Sequence, residues 1–99
     1  MFEIETGEGG KIVLSGRLDA SQCEKAQAFL DAIAEPSVMD FSGLDYISSA
    51  GLGVLLKTQK RLVGATGSGL TIAGINKHIH DIFRFSGFDK IFQIDAPEA

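Results

Sequence analysis

Apolar and polar residues alternate over Phe2-Glu3-Ile4-Glu5, the period of a half-buried strand. Gly7-Glu8-Gly9-Gly10 supplies turn residues, and Lys11–Gly16 (KIVLSG) reads as a second, more buried strand, so the two form a β-hairpin. Asp19 or Ser21 can cap a helix predicted over Ala20–Ala34, with Cys23, Ala26, Leu30, Ile33 and Ala34 as its inward stripe. Glu35 precedes Pro36 and is pushed out of the helical region. Val38–Phe41 reads as a buried strand and Ser42–Ile47 as a short connection. After Ser48 and Ser49 comes an amphipathic helix with Leu52, Leu55, Leu56, Leu62 and Val63 on one face. It is expected to end near Val63 or Gly64, because Gly64–Gly69 is rich in helix breakers.

Leu70–Ala73 is the next predicted strand. Asn76 is placed to cap a helix over Lys77–Ser86 that turns Ile79, Ile82 and Phe83 inward. Gly87 suits its C-terminal cap, with Phe88 positioned for the accompanying apolar contact. Ile91–Ile94 is the last predicted strand, and Asp95–Ala99 is too short and polar for another helix. The order β-β-α-β-α-β-α-β predicts a single α/β domain over residues 1–99. Its sheet is mixed and mostly parallel, with one antiparallel strand from the hairpin.

Composition narrows the function classes. Ninety-nine residues suffice for one core. A net charge of −4 argues against nucleic acid as the partner. The single cysteine, Cys23, excludes an internal disulfide framework and favours a reducing compartment. No apolar run is long enough to span a bilayer, and residues 1–15 do not resemble a secretory signal. A cytoplasmic protein without membrane insertion is the expectation.

Candidate chemistry centres on Ser48 and Ser49, at the junction of strand and helix. The first N–H groups of a helix are free and its dipole is positive there, so the junction favours negative charge. One serine can cap the helix, and the other can be a modifiable hydroxyl. A phosphoserine would add roughly −1.5 to −2 charges where anions are already favoured. A hydrolytic serine is disfavoured. The nucleophile elbow needs glycine on both sides, and Ile47 stands where the first would be. His78 and His80 lie two apart on a helix, pointing away from each other, and are not expected to share a metal. Gly64–Gly69 runs from helix to strand, the wrong order for a phosphate-binding loop. No metal or cofactor is expected. Asp19, Asp40 and Asp45 could lie near the serine pair. If the strands before Asp19 and before Ser49 are neighbours, Asp19 sits beside Ser49; helix capping or plain exposure is the alternative.

The stretch Asp40–Leu52, DFSGLDYISSAGL, resembles the signature of STAS domains, the group containing bacterial anti-sigma factor antagonists. Gly16-Arg17-Leu18-Asp19, Gly69-Leu70-Thr71-Ile72 and the run from Ile82-Phe83 through Ser86-Gly87-Phe88 to Ile91-Phe92 are similar to other family segments. In that family the serine two places before the signature glycine is phosphorylated by a partner that is both kinase and anti-sigma factor. Gly51 is that glycine here, so the resemblance implies Ser49 as acceptor and Ser48 as second choice. Ser48 stands where relatives often have aspartate, and Ala50 where they often have serine or threonine. Many relatives also carry a further helix after the last strand. The resemblance implies partner switching by a protein that is not itself an enzyme. The unphosphorylated domain binds the anti-sigma kinase, phosphorylation releases it, and a serine phosphatase resets it. Asp19, Asp45, Ser48, Ser49 and Gly51 are the implied partner-binding residues, and the domain is expected to be monomeric when free. The alternative implied by the same fold is an accessory subunit of a membrane lipid or solute transporter.

Overall fold

A computed structural model describes residues 1–95. Phe2–Thr6 (β1) pairs antiparallel with Ile12–Leu18 (β2), and a tight Glu8–Gly10 turn is closed by Gly7 N–H donating to Lys11 C=O at 2.7 Å. Cys23–Asp31 (α1), Val38–Ile47 (β3), Ser49–Thr66 (α2), Thr71–Ala73 (β4), Lys77–Ser86 (α3) and Gln93–Ile94 (β5) follow. The strands lie in chain order in one five-stranded sheet, β2 through β5 all parallel. The predicted element order and mixed sheet are what the structure shows.

Crossovers that always step the same way place α1, α2 and α3 on one face of the sheet. The core lies between that face and the helices. Leu14, Leu18, Met39, Phe41, Leu55, Leu62, Ile72, Ile79 and Phe83 are completely or almost completely buried there. The opposite face carries Ser15, Arg17, Asp40, Ser42, Tyr46 and Thr71, half-buried or exposed.

Several predicted boundaries shift, each for a physical reason. The connection predicted over Ser42–Ile47 is strand: β3 runs on beside β2, with Gly16 opposite Leu44 and Leu18 opposite Ile47. Two register shifts let β3 bulge, so its buried residues fall at Met39, Phe41, Leu44 and Ile47 rather than at every second position. The Asp40 carboxylate holds the first bulge. It accepts from the Ser42 hydroxyl and from Ser42 N–H at 2.9 Å. Strand β2 likewise starts one residue later than predicted and runs two further.

The first helix was expected over Ala20–Ala34. It is a 3-10 turn at Ala20–Gln22 followed by α1, which stops at Asp31. Ala32 and Ile33 tighten into bonds to carbonyls three residues back, and Arg61 Nη2 donates to Leu30 C=O at 2.9 Å. Ala34 is exposed. Helix α2 passes through Gly64, whose cost of about 1 kcal/mol is too small to end a well-packed helix. Gly67, at φ +86°, ends it instead. Val63, expected inward, is 43% exposed, whereas Thr58 and Gln59 are buried.

Asn76 caps α3, accepting from Ile79 N–H at 2.8 Å, and Gly87 ends it at φ +80°. Phe88 meets Phe83 edge to face with ring centroids 6.1 Å apart. Ile91 and Phe92 both donate to Phe88 C=O, which extends that turn and shortens β5 from the predicted Ile91–Ile94. The expectation for Asp95–Ala99 lies mostly outside the described residues.

Gln59 joins three elements. Its Oε1 accepts from Leu70 N–H at 2.7 Å, and its Nε2 donates to Ile91 C=O at 2.9 Å. A Gln59→Leu variant leaves both backbone groups without those partners and is expected to lower stability by about 1–3 kcal/mol in urea unfolding. An unchanged midpoint would show that water replaces the amide.

Asp40 is held below the ordinary carboxylate range, mainly by the Ser42 hydroxyl, then by Ser42 N–H and the Lys11 charge, against opposing desolvation. Its ionised form therefore favours the folded state. That contribution is complete above the ordinary carboxylate pKa and is lost as pH falls through the lowered native one. An Asp40→Asn variant is expected to lose less stability than the parent on acidification below about pH 4. Parallel stability–pH curves would rule this out.

Candidate functional site

The carboxyl end of the parallel strands gathers the predicted site residues. Leu18 ends β2 opposite Ile47 at the end of β3, and Ser48 N–H donates to Leu18 C=O at 2.9 Å. Asp19 and Ser48 thus leave the sheet from neighbouring positions, as the neighbouring-strand reading requires. Asp19, Ser48 and Asn76 cap the 3-10 turn at Ala20–Gln22, α2 and α3 at this edge.

The two serines have different roles. Ser48 has extended backbone angles and its hydroxyl accepts from Gly51 N–H at 3.1 Å. It is the N-cap, one of the residue types favoured there because the oxygen satisfies an otherwise free donor. Ser49 is the first residue of α2 and is exposed. Gly51, two residues further on, is buried. A Cβ on it would stand 2.9 Å from Leu18 Cγ, 2.9 Å from Ile47 Cγ1 and 3.1 Å from Leu18 O. Only glycine lets the start of α2 sit this close to the ends of β2 and β3.

The acidic residues separate. Asp19 Oδ1 accepts from Ser21 N–H at 3.1 Å and from the Ser21 hydroxyl at 2.6 Å. The Ser21 hydroxyl is the main cause of its lowered pKa, with Ser21 N–H and the Arg17 charge adding, so Asp19 is a carboxylate at neutral pH. Asp45 is exposed on β3, two residues before Ile47. Asp40, expected near the serines, is not there. It pairs with Val13 near the other end of β2, about 17 Å along the sheet by strand rise. The expectation failed because it took the strand to end at Phe41.

Sequence reasoning missed Arg17 and Tyr46. Adjacent in register, they bring the Arg17 guanidinium 4.3 Å from the centre of the Tyr46 ring beside the Leu18–Ile47 pair. Their pairing spans a bulge, which residue spacing does not reveal. His78 is exposed and His80 half-buried on α3. Among the described residues, no group of three or more His, Cys, Asp or Glu side chains could hold a metal ion. No described helix is long and apolar enough to cross a membrane.

These features define a small one-sided α/β domain that presents a capped, serine-led helix at the carboxyl edge of its sheet. The chain belongs to the STAS domain family: the family model described as Mlab, STAS domain matches residues 1–94. It is 35% identical over 85 residues to anti-sigma factor antagonist BtrV of Bordetella bronchiseptica, covering 82% of this chain and 72% of that one. It is 31% identical over 99 residues to the anti-sigma F factor antagonist of Paenibacillus polymyxa, covering 94% of this chain and 84% of that one. Among solved structures it shares the fold of the anti-sigma factor antagonist SpoIIAA in its unphosphorylated form. The TM-score is 0.73 at 19% identity, over 97% of this chain and 89% of that one. SpoIIAA of Bacillus is also known in its phosphorylated form, with TM-score 0.67 and 20% identity, over 97% of this chain and 92% of that one.

The packing at Gly51 separates two glycines of one helix. Gly51→Ala is expected to lose about 1–3 kcal/mol of stability by overpacking. Gly53→Ala, with nothing within 4 Å of the added Cβ, is expected to gain about 0.5–1 kcal/mol. Urea unfolding of both variants tests this, and a neutral Gly51→Ala would show that α2 can move off the strand ends.

Proposed function

We propose that this chain is an anti-sigma factor antagonist that binds an anti-sigma factor with serine kinase activity and is released when Ser49 is phosphorylated. The observation that carries the reading is the division of roles at the start of α2. Ser48 holds the cap while Ser49 stands exposed at the first helical position. Both curated relatives are named as antagonists, which are regulators rather than catalysts. The existence of SpoIIAA in both phosphorylation states supports a fold that tolerates the added group.

The chemistry belongs to the partner. Ser49 Oγ attacks the γ-phosphorus of ATP; the Oγ–P bond forms, the bond to ADP breaks, and the hydroxyl proton passes to a base on the kinase. A serine phosphatase returns the hydroxyl by hydrolysis. Asp19, Asp45, Ser48 and Gly51 belong to the same binding edge. Asp19 and Ser48 act by fixing the local backbone, and Gly51 by letting α2 approach the strands. The free domain is read as a cytoplasmic monomer. The electrostatics suffice for release. Like unit charges about 4 Å apart in an effective dielectric of about 20 repel by roughly 4 kcal/mol, about a thousandfold in affinity.

Intact mass after incubation with magnesium-ATP and each candidate serine kinase of the host is expected to show one added phosphate on the parent and none on Ser49→Ala. Ser49→Asp is expected to lose kinase binding at least tenfold while Ser49→Ala retains it. Phosphate on both parent and Ser49→Ala would move the acceptor to Ser48 or elsewhere. No phosphate with any kinase, together with co-purification with a membrane ATPase complex, would replace this reading with the transporter subunit.

A further inference from the structure

Helix α2 carries three cations, Lys57, Lys60 and Arg61, and no acidic residue, within a chain of net charge −4. Arg61 is engaged at the end of α1 through Leu30 C=O. Lys57 and Lys60 are exposed. The ion pairs among the described residues use Lys11, Lys25, Lys77 and Arg84, and neither Lys57 nor Lys60 takes part in any of them. The helix therefore shows solvent a local charge opposite to that of the whole chain.

Helical geometry joins these lysines to Ser49. At 100° per residue, Ser49, Gly53, Lys57, Lys60 and Gly64 fall within a sector of roughly 80° on the outer side of α2. A Cβ on Gly53 or Gly64 would have nothing within 4 Å, so the path from the serine to the lysines is low and open. Lys57 lies about 12 Å and Lys60 about 16 Å along the axis from Ser49, by helical rise. Neither is within one turn of Ser49, the spacing at which helix side chains pair.

We infer that the outer face of α2, from Ser49 through Lys60, is a docking surface for an acidic patch on the protein partner. The inference rests on the Ser49 reading and adds the chemistry of the partner. The lysines give the sign of the partner surface, and the Ser49 reading agrees with it. Unpaired lysines at one end attract an anionic surface. A dianion added at the other end repels one, so that phosphorylation releases what the lysines draw in.

The test has two arms. In the first, the isotope-labelled protein is titrated with poly-L-glutamate at low salt and followed by NMR. Shifts are expected along Ser49–Gly64 and are expected to disappear in Lys57→Gln/Lys60→Gln. Shifts centred on other lysines, shifts unchanged in the double variant, or tighter binding to vesicles of anionic phospholipid would overturn the inference. In the second arm, affinity for the kinase that modifies the protein is measured at low and high salt. The double variant is expected to bind about tenfold more weakly at low salt, with the difference vanishing near 0.5 M, whereas Lys11→Gln/Lys25→Gln is unchanged. Equal affinity of parent and double variant would sink the acidic-partner inference and leave Ser49 as acceptor. A lysine effect without any Ser49→Asp effect would sink the acceptor reading instead.

Discussion

The contact between Gly51 and the ends of β2 and β3 is the constraint on which this site depends. A Cβ at that position would meet Leu18 and Ile47 below van der Waals distance. With hydrogen there instead, α2 starts directly over the pair that closes the parallel ladder, and Ser48 N–H reaches Leu18 C=O. Strand end and helix start become one rigid corner. The capping bond from Gly51 N–H to the Ser48 hydroxyl then follows, because donor and acceptor are already held in place. Adjacent serines acquire different chemistry from this corner alone. One hydroxyl is occupied by the backbone, and the next projects to solvent from the first turn.

The rest of the domain keeps that corner in place. Strand β3 must reach from the hairpin side of the sheet to the serine edge, and it does so with two bulges that a regular ladder would not contain. Asp40 and Ser42 hold the first of them. Helix α2 is tied at its middle by Gln59 to the approaches of β4 and β5, and at its outer flank by Arg61 to the end of α1. Buried apolar residues supply most of the stability, but these polar bonds fix the direction of α2 and hence of Ser49.

What was legible in the sequence follows how local each determinant is. Caps depend on a side chain and an N–H within a few residues, so Asn76 and Gly87 could be placed without knowing the fold, and the caps at Asp19 and Ser48 narrowed to one of two nearby residues. The parallel order followed from alternating elements, and with it the nearness of Asp19 to the serine pair. The length of β3 was hidden, because bulges space its buried residues at Met39, Phe41, Leu44 and Ile47 and erase the two-residue period. The same error misplaced Asp40. The inward turn of Gln59 and outward turn of Val63 were hidden for another reason. The face α2 buries is decided by what approaches it, and Leu70 and Ile91 come from far along the chain. The place of Ser48 and Ser49 at the start of α2 was legible as a motif, whereas the Arg17–Tyr46 stack required the register.

A switch that works by adding charge acts most strongly on a partner where no side-chain cation of its own domain pairs with that charge, even though a helix N-terminus favours an anion. If Ser49 is the acceptor, as proposed, the spacing of cations along α2 meets this condition. The first cation after Ser49 on the outer face is Lys57, two turns away and about 12 Å along the axis, whereas helix side chains pair across a single turn. The intervening outward position is Gly53, which offers a phosphate no side-chain donor. A cation at position 53 would lie one turn from the phosphate and could pair with it, blunting the repulsion felt by a bound partner. On the proposed reading, the glycine would leave the charge of a modified Ser49 without a side-chain partner on its own helix, and the lysines beyond it would stay free to attract the surface that this charge repels.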